Sequence, residues 1–241
     1  MIDLYAAPTS NGLRAKIMLD ETGLDYTLHN VDLAAGGNRS PEYLELNPMG
    51  LIPTIVDPDG PAGADGKPFT LSQSITILIY LAGRSGKFLP DQATMDMIFW
   101  RDVMSIATDM TGVLAAIFNI GRMPDPHLPT MNDFGARFNR YMKYWDGLMA
   151  DREFVAAGEV TIADFAFYPV VYRAKAVTPQ FRLICRKIAD IQPNYQGSRK
   201  HETRRSRSDL QLVHACARRC RTRFLRKGRA RHDLRADLPR R

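Results

Sequence analysis

Cysteine is missing from the first 181 of the 241 residues; Cys185, Cys216 and Cys220 all follow Phe181. The body of the chain therefore has neither a disulfide framework nor a reactive thiol of its own. No run of apolar residues is long enough to suggest a membrane span. The opening Met1-Ile2-Asp3-Leu4-Tyr5 lacks the basic n-region of a secretory leader. A cytoplasmic location with no membrane partner is the expectation. Metal-binding spacing is absent as well: His214, Cys216 and Cys220 make an incomplete, irregular set, so no metal is expected.

Basic residues are scarce until late. Residues 1–181 hold 14 Lys+Arg against 21 Asp+Glu, a charge of −7, and the remainder holds 19 against 5, or +14; together they give the overall +7. The basic balance thus belongs to the tail alone, and nucleic acid is an expected partner only through it.

Ile2–Ala6 reads as a strand, Ala7-Pro8-Thr9-Ser10-Asn11-Gly12 as turn chemistry, and Leu13–Thr22 as a helix closed by Gly23. Tyr26–Asp32 is a second strand, completing a βαβ unit with a parallel pair. Pro41–Leu46 forms one or two helical turns. Thr54–Asp57 and Phe69–Leu71 are strands flanking a glycine- and proline-rich hairpin loop, and residues 72–82 favour a helix over a strand. The order βαβ, short helix, ββ, helix is thioredoxin-like. The fold class is therefore α/β plus all-α.

Asn47-Pro48-Met49-Gly50-Leu51-Ile52-Pro53-Thr54-Ile55-Val56 links these halves of the sheet. Pro53 can begin a strand and suits a cis bond. A cis bond would turn the backbone of Ile52 outward, ready to pair with an extended peptide.

Four segments follow: residues 1–84, a linker at 85–90, a helical domain at 91–181 that ends short, and a basic tail at 182–241 that reads as disordered or out of frame. In the helical domain Trp100, Val103, Ala107, Met110, Leu114 and Ile117 predict one helix from near Asp91 to Ile120. Phe134, Phe138, Tyr141, Trp145 and Leu148 predict a second that packs back on it. Val160-Thr161-Ile162-Ala163-Asp164-Phe165 combines a capping box with a hydrophobic staple and starts a third, buried helix.

These residues together resemble a bacterial glutathione transferase, closest to the nu class associated with glutathione-dependent disulfide-bond reduction. The carriers are Ile2-Asp3-Leu4-Tyr5…Pro8-Thr9…Asn11-Gly12, Val31-Asp32-Leu33…Gly36-Gly37, Ile52-Pro53…Ile55-Val56-Asp57 and Gln73-Ser74…Ile77-Leu78…Tyr80-Leu81-Ala82. The resemblance covers about residues 1–175.

It implies a thioredoxin-like domain followed by a helical one, glutathione as co-substrate, a small electrophile or disulfide as second substrate, and a homodimer. Ile52 and Pro53 would present the backbone to the cysteinyl unit. Gln73 and Ser74 would hold the γ-glutamyl carboxylate at a helix start, where the dipole favours an anion. Asn38 would reach the glycyl end. Thr9 and Asn11 would donate to the thiol and favour its thiolate, with Ser10 able to replace either. The wall of the second-substrate pocket would come from around Trp100, Met104 and Thr108. A non-catalytic relative that binds partners through this fold, aided by the basic tail, is the alternative.

Overall fold

Five residues, Ile2–Ala6, form β1, whose alternating buried positions Ile2, Leu4 and Ala6 face the core. The computed structural model describes residues 1–61, 67–92 and 94–174. The expectations for the 182–241 tail, and for the last residues of the helical domain, lie outside the described residues.

Helix α1 (Ser10–Thr22) begins at Thr9 and stops at Gly23, whose left-handed φ of 76° lets its N–H reach the carbonyl of Leu19. Strand β2 (Tyr26–Asn30) pairs parallel with β1, from Ile2 against Tyr26 to Ala6 against Asn30. A short 3₁₀ turn (Gly37–Arg39) leads into α2 (Pro41–Leu46), which Ser40 caps by accepting from the Tyr43 N–H. Strands β3 (Thr54–Asp57) and β4 (Phe69–Ser72) complete a mixed sheet in the order β2-β1-β3-β4.

The ambiguous stretch after Leu71 is helical. It is α3 (Ser74–Ser85), with Ile77, Leu78 and Leu81 fully buried. It runs through Gly83 and ends at Gly86, φ 65°. Helices α1 and α3 pack together and against the helical half of the chain.

In that half the long helix departs from its sequence pattern. It starts at Met97, later than Asp91: Asp91 accepts from the Thr94 N–H at 2.8 Å in a separate turn, and Asp96 caps the helix by accepting from the Phe99 N–H at 2.8 Å. The run comprises α4 (Met97–Met104), a π-helical segment (Ser105–Met110) and α5 (Thr111–Gly121). The wide π turn rotates the preceding turns, so Phe99 and Ile106 are buried where the spacing points to Trp100 and Ala107. Val103, Met110, Leu114 and Ile117 are buried as expected.

By length and composition alone this run of 25 residues would suffice to cross a membrane, which corrects the expectation of no such span. Its buried stripe nevertheless packs on α6 (Leu128–Ala150) and α7 (Ile162–Ala174), as a core helix does.

Helix α6 buries Phe138, Met142 and Trp145. Helix α7 opens with the expected capping box: the Thr161 N–H donates to Asp164 Oδ2 at 2.9 Å, and Thr161 Oγ1 accepts from the Ala163 N–H at 3.3 Å. The ring of Phe165 packs edge-on against Phe88 of the linker, centroids 4.9 Å apart.

Candidate active site

The sheet register brings three loops to one end. Tyr5 lies opposite Thr54, and Thr54 opposite Ser72, with antiparallel pairing at both steps. The residues after β1, those before β3 and those after β4 therefore leave the sheet side by side. Those residues are Thr9–Asn11, Ile52–Pro53 and Gln73–Ser74.

Thr9 caps α1: its Oγ1 accepts from the Gly12 N–H at 3.1 Å, and its own N–H donates to the carbonyl of Ala7 at 2.7 Å. The turn is thus also the helix start, three residues before the expected Leu13, and the cap leaves the Thr9 hydroxyl proton for another partner. Ser10 is the first helical residue. Gly12 is required here by contact, since a Cβ would sit 2.1 Å from the Ala7 carbonyl oxygen. Tyr5 turns away to stack on His29, centroids 4.5 Å apart and planes 13° apart.

The Ile52–Pro53 bond is cis. Side chains fix the residue before it: the Leu51 carbonyl accepts from Tyr43 Oη at 2.7 Å and Asn47 Nδ2 at 2.6 Å, and Thr54 Oγ1 lies 3.1 Å from Tyr43 Oη. Among the described residues neither the N–H nor the C=O of Ile52 is hydrogen-bonded. That leaves an unpaired edge beside Thr9, suited to an extended peptide.

Gln73 holds a left-handed φ of 73° with ψ at 111°, an uncommon conformation for a residue with a side chain. The start of α3 lies beside the start of α1, Ser74 against Asn11 and Arg14. Ser74, the first helical residue, is buried, and its Oγ lies 3.4 Å from Asn11 Oδ1. The thiol candidate and the carboxylate candidate are therefore adjacent.

Beneath them lies a residue that the sequence reading missed. Arg14 is 1% exposed. Its Nη1 donates to Asn11 Oδ1 at 2.8 Å and to Ser74 Oγ at 3.1 Å, its Nη2 to Thr111 Oγ1 at 2.7 Å, and its Nε to the Ala166 carbonyl at 2.9 Å. Burial brings its pKa down to about 10, so it remains a cation at neutral pH. No periodicity signals this: an arginine in the first turns of a helix ordinarily reads as solvated.

Asn38 lies at the far side of the edge and donates Nδ2 to the Gly50 carbonyl at 2.7 Å, which steadies the loop before Ile52. Beside it Arg39, also absent from the sequence reading, donates to the Met49 carbonyl at 3.2 Å. Of the expected pocket wall, Met104 and Thr108 are exposed, while Trp100 is half-buried and edge-on to Phe99.

Thr9, Asn11, Ser74 and Arg14 supply donors and positive potential, with no general base among them. Such a site binds and stabilises an anion that its ligand brings.

Comparison with known proteins identifies the family. The family described as "Glutathione S-transferase, N-terminal domain" matches residues 10–84, and "Glutathione S-transferase, C-terminal domain" matches residues 129–197, past the boundary expected at Phe181. The disulfide-bond oxidoreductase YfcG of Escherichia coli is 45% identical over 106 residues, 42% of this chain and 48% of that protein. The chain thus matches about half the length of that relative. Glutathione S-transferase 2 of Anopheles gambiae is 30% identical over 177 residues, 72% of this chain and 80% of that protein. A glutathione transferase from Pseudomonas putida, solved with one glutathione disulfide per subunit, superposes with a TM-score of 0.67 at 28% identity. The superposition covers 79% of this chain and 86% of that one.

Proposed function

The chain belongs to the glutathione S-transferase family, and on that premise we propose that it binds glutathione and stabilises its thiolate for attack on a disulfide or a small electrophile. The observation that carries this reading is the junction of Asn11 and Ser74, 3.4 Å apart over one buried cation and beside an unpaired Ile52 edge. The sulfur is glutathione's, because the turn before α1 has none.

Ile52 would pair with the cysteinyl unit, Gln73 and Ser74 with the γ-glutamyl carboxylate, and Asn38 would face the glycyl end. Thr9 and Asn11 would donate to the thiolate, with Ser10 next to them. On a disulfide, the thiolate attacks one sulfur, a mixed disulfide forms and the other sulfur leaves as thiolate; a second glutathione thiolate resolves the mixed disulfide. The name of the Escherichia coli relative supports disulfides as the substrate class. A cytoplasmic setting, where the glutathione pool is reducing, suits this chemistry.

A homodimer belongs to the same proposal. Met97 (77% exposed), Ile98 and Met104 present apolar surface on α4, and Met49 and Leu51 do so next to the Ile52 edge.

The test is retention on immobilised glutathione together with turnover of hydroxyethyl disulfide. Thr9→Ala combined with Asn11→Ala is expected to lower turnover by about 10²-fold or more. Full turnover in that double variant would discard the thiol assignment. Retention without turnover in the unaltered protein would identify a non-catalytic binding protein instead.

A further inference from the structure

We infer that Arg14 is a positioning residue whose guanidinium locks the Asn11 amide and the Ser74 hydroxyl into one unit, coupling the γ-glutamyl carboxylate subsite to the thiol subsite. The inference deepens the glutathione reading and rests on it.

Three observations carry it. First, Arg14 is a buried cation with no carboxylate: among the described residues it forms no ion pair, and all four of its bonds go to neutral oxygens. A buried charge is costly without a counter-charge. An anionic ligand at Ser74 and Asn11 supplies one.

Second, the bond from Nη1 to Asn11 Oδ1 decides which end of the amide faces the cleft. With Oδ1 held by a donor, the Nδ2 hydrogens are left for the thiolate. The same Nη1 donates to Ser74 Oγ, and the Ser74 hydroxyl in turn donates to Asn11 Oδ1 at 3.4 Å, so the three groups close into one hydrogen-bonded unit. One group thereby ties the two subsites together.

Third, Arg14 is itself held by the other half of the chain. The Ala166 carbonyl on α7 fixes Nε, and Thr111 Oγ1, directly after the π-helical segment, fixes Nη2. Thr111 in turn donates to the Ile106 carbonyl at 2.7 Å. Only a planar fork with several donors can meet all four acceptors; a lysine brings the charge but not the geometry.

The test compares the unaltered full chain with Arg14→Lys and Thr111→Val in two measurements. One is the calorimetric affinity for S-methylglutathione, which probes the carboxylate subsite without a thiol. The other is the ultraviolet thiolate signal of bound glutathione against pH. Arg14→Lys is expected to bind S-methylglutathione about tenfold more weakly and to raise the bound-thiol pKa by about one unit. Thr111→Val is expected to move both in the same direction by less.

A purely structural role would lower thermal stability and leave the pH profile in place. A folded Arg14→Lys with unchanged affinity and unchanged thiol pKa overturns the inference; should that variant not fold, an unmoved profile in Thr111→Val does so. If the unaltered protein binds no S-methylglutathione, the glutathione reading itself falls and takes this inference with it.

Discussion

Gly12 shows how much a single atom decides at the site. A β-carbon there would meet the Ala7 carbonyl at 2.1 Å, and that carbonyl is already bonded to the Thr9 N–H. Backbone lies on both sides, so no side chain can rotate away. Gly12→Ala is expected to lower stability by about 3 kcal/mol in urea unfolding, with the turn carrying Thr9 and Asn11 displaced; a loss below about 0.5 kcal/mol would show that the turn yields easily. At this scale the sequence was informative where chemistry follows from local geometry. Thr9 as a cap, Ser74 at a helix start and the cis bond at Pro53 could all be read from neighbours one to three residues away. Arg14 could not, because its partners Ser74, Thr111 and Ala166 are distant in sequence and only the folded chain assembles them.

Helix starts were legible where two residues cooperate and less so where one acts alone. Thr161 with Asp164 marks the start of α7 unmistakably, whereas Asp91 and Asp96 each cap a turn at 2.8 Å and only the second opens the long helix. The π-helical segment was illegible, since a periodicity of 3.6 carries no sign of one widened turn. Asp164 also has a consequence of its own. Burial raises its pKa to about 6, although the N–H groups of Thr161 and Val155 and the Thr161 hydroxyl all favour the carboxylate. Its folded value therefore lies above the ordinary carboxylate value. Between about pH 4 and 6 the folded chain holds a proton that the unfolded chain has released. The burial penalty is fully present above this window and disappears as pH falls through it. Relative to Asp164→Asn, which cannot ionise, the unaltered protein should gain up to about 3 kcal/mol of stability from pH 7 to pH 4. Denaturant unfolding of both proteins across that range measures the gap, and a constant difference would refute it.

For the whole molecule, the apolar side chains on α4 set the assembly question. Met97 and Met104 are exposed on a helix whose opposite face is core. In the proposed dimer that surface is covered, so Met97→Lys with Met104→Lys is expected to shift sedimentation from dimer to monomer without unfolding the chain; an unaltered protein that already sediments as a monomer would contradict the proposal. The division into a thioredoxin-like half and a helical half was readable from the order of elements, but the firmness of their junction was not. Lys87 Nζ donates to the Thr22 carbonyl at 2.8 Å, the Phe88 carbonyl accepts from the Ile162 N–H at 2.9 Å, and Phe88 holds a φ of 67° to make that contact. The linker is therefore a seam rather than a hinge. Opening the cleft by swinging one half from the other would break these bonds together with those of Arg14. A ligand proposed to bind at Ile52 and Ser74 would therefore have to enter and leave with the two halves still joined along this seam.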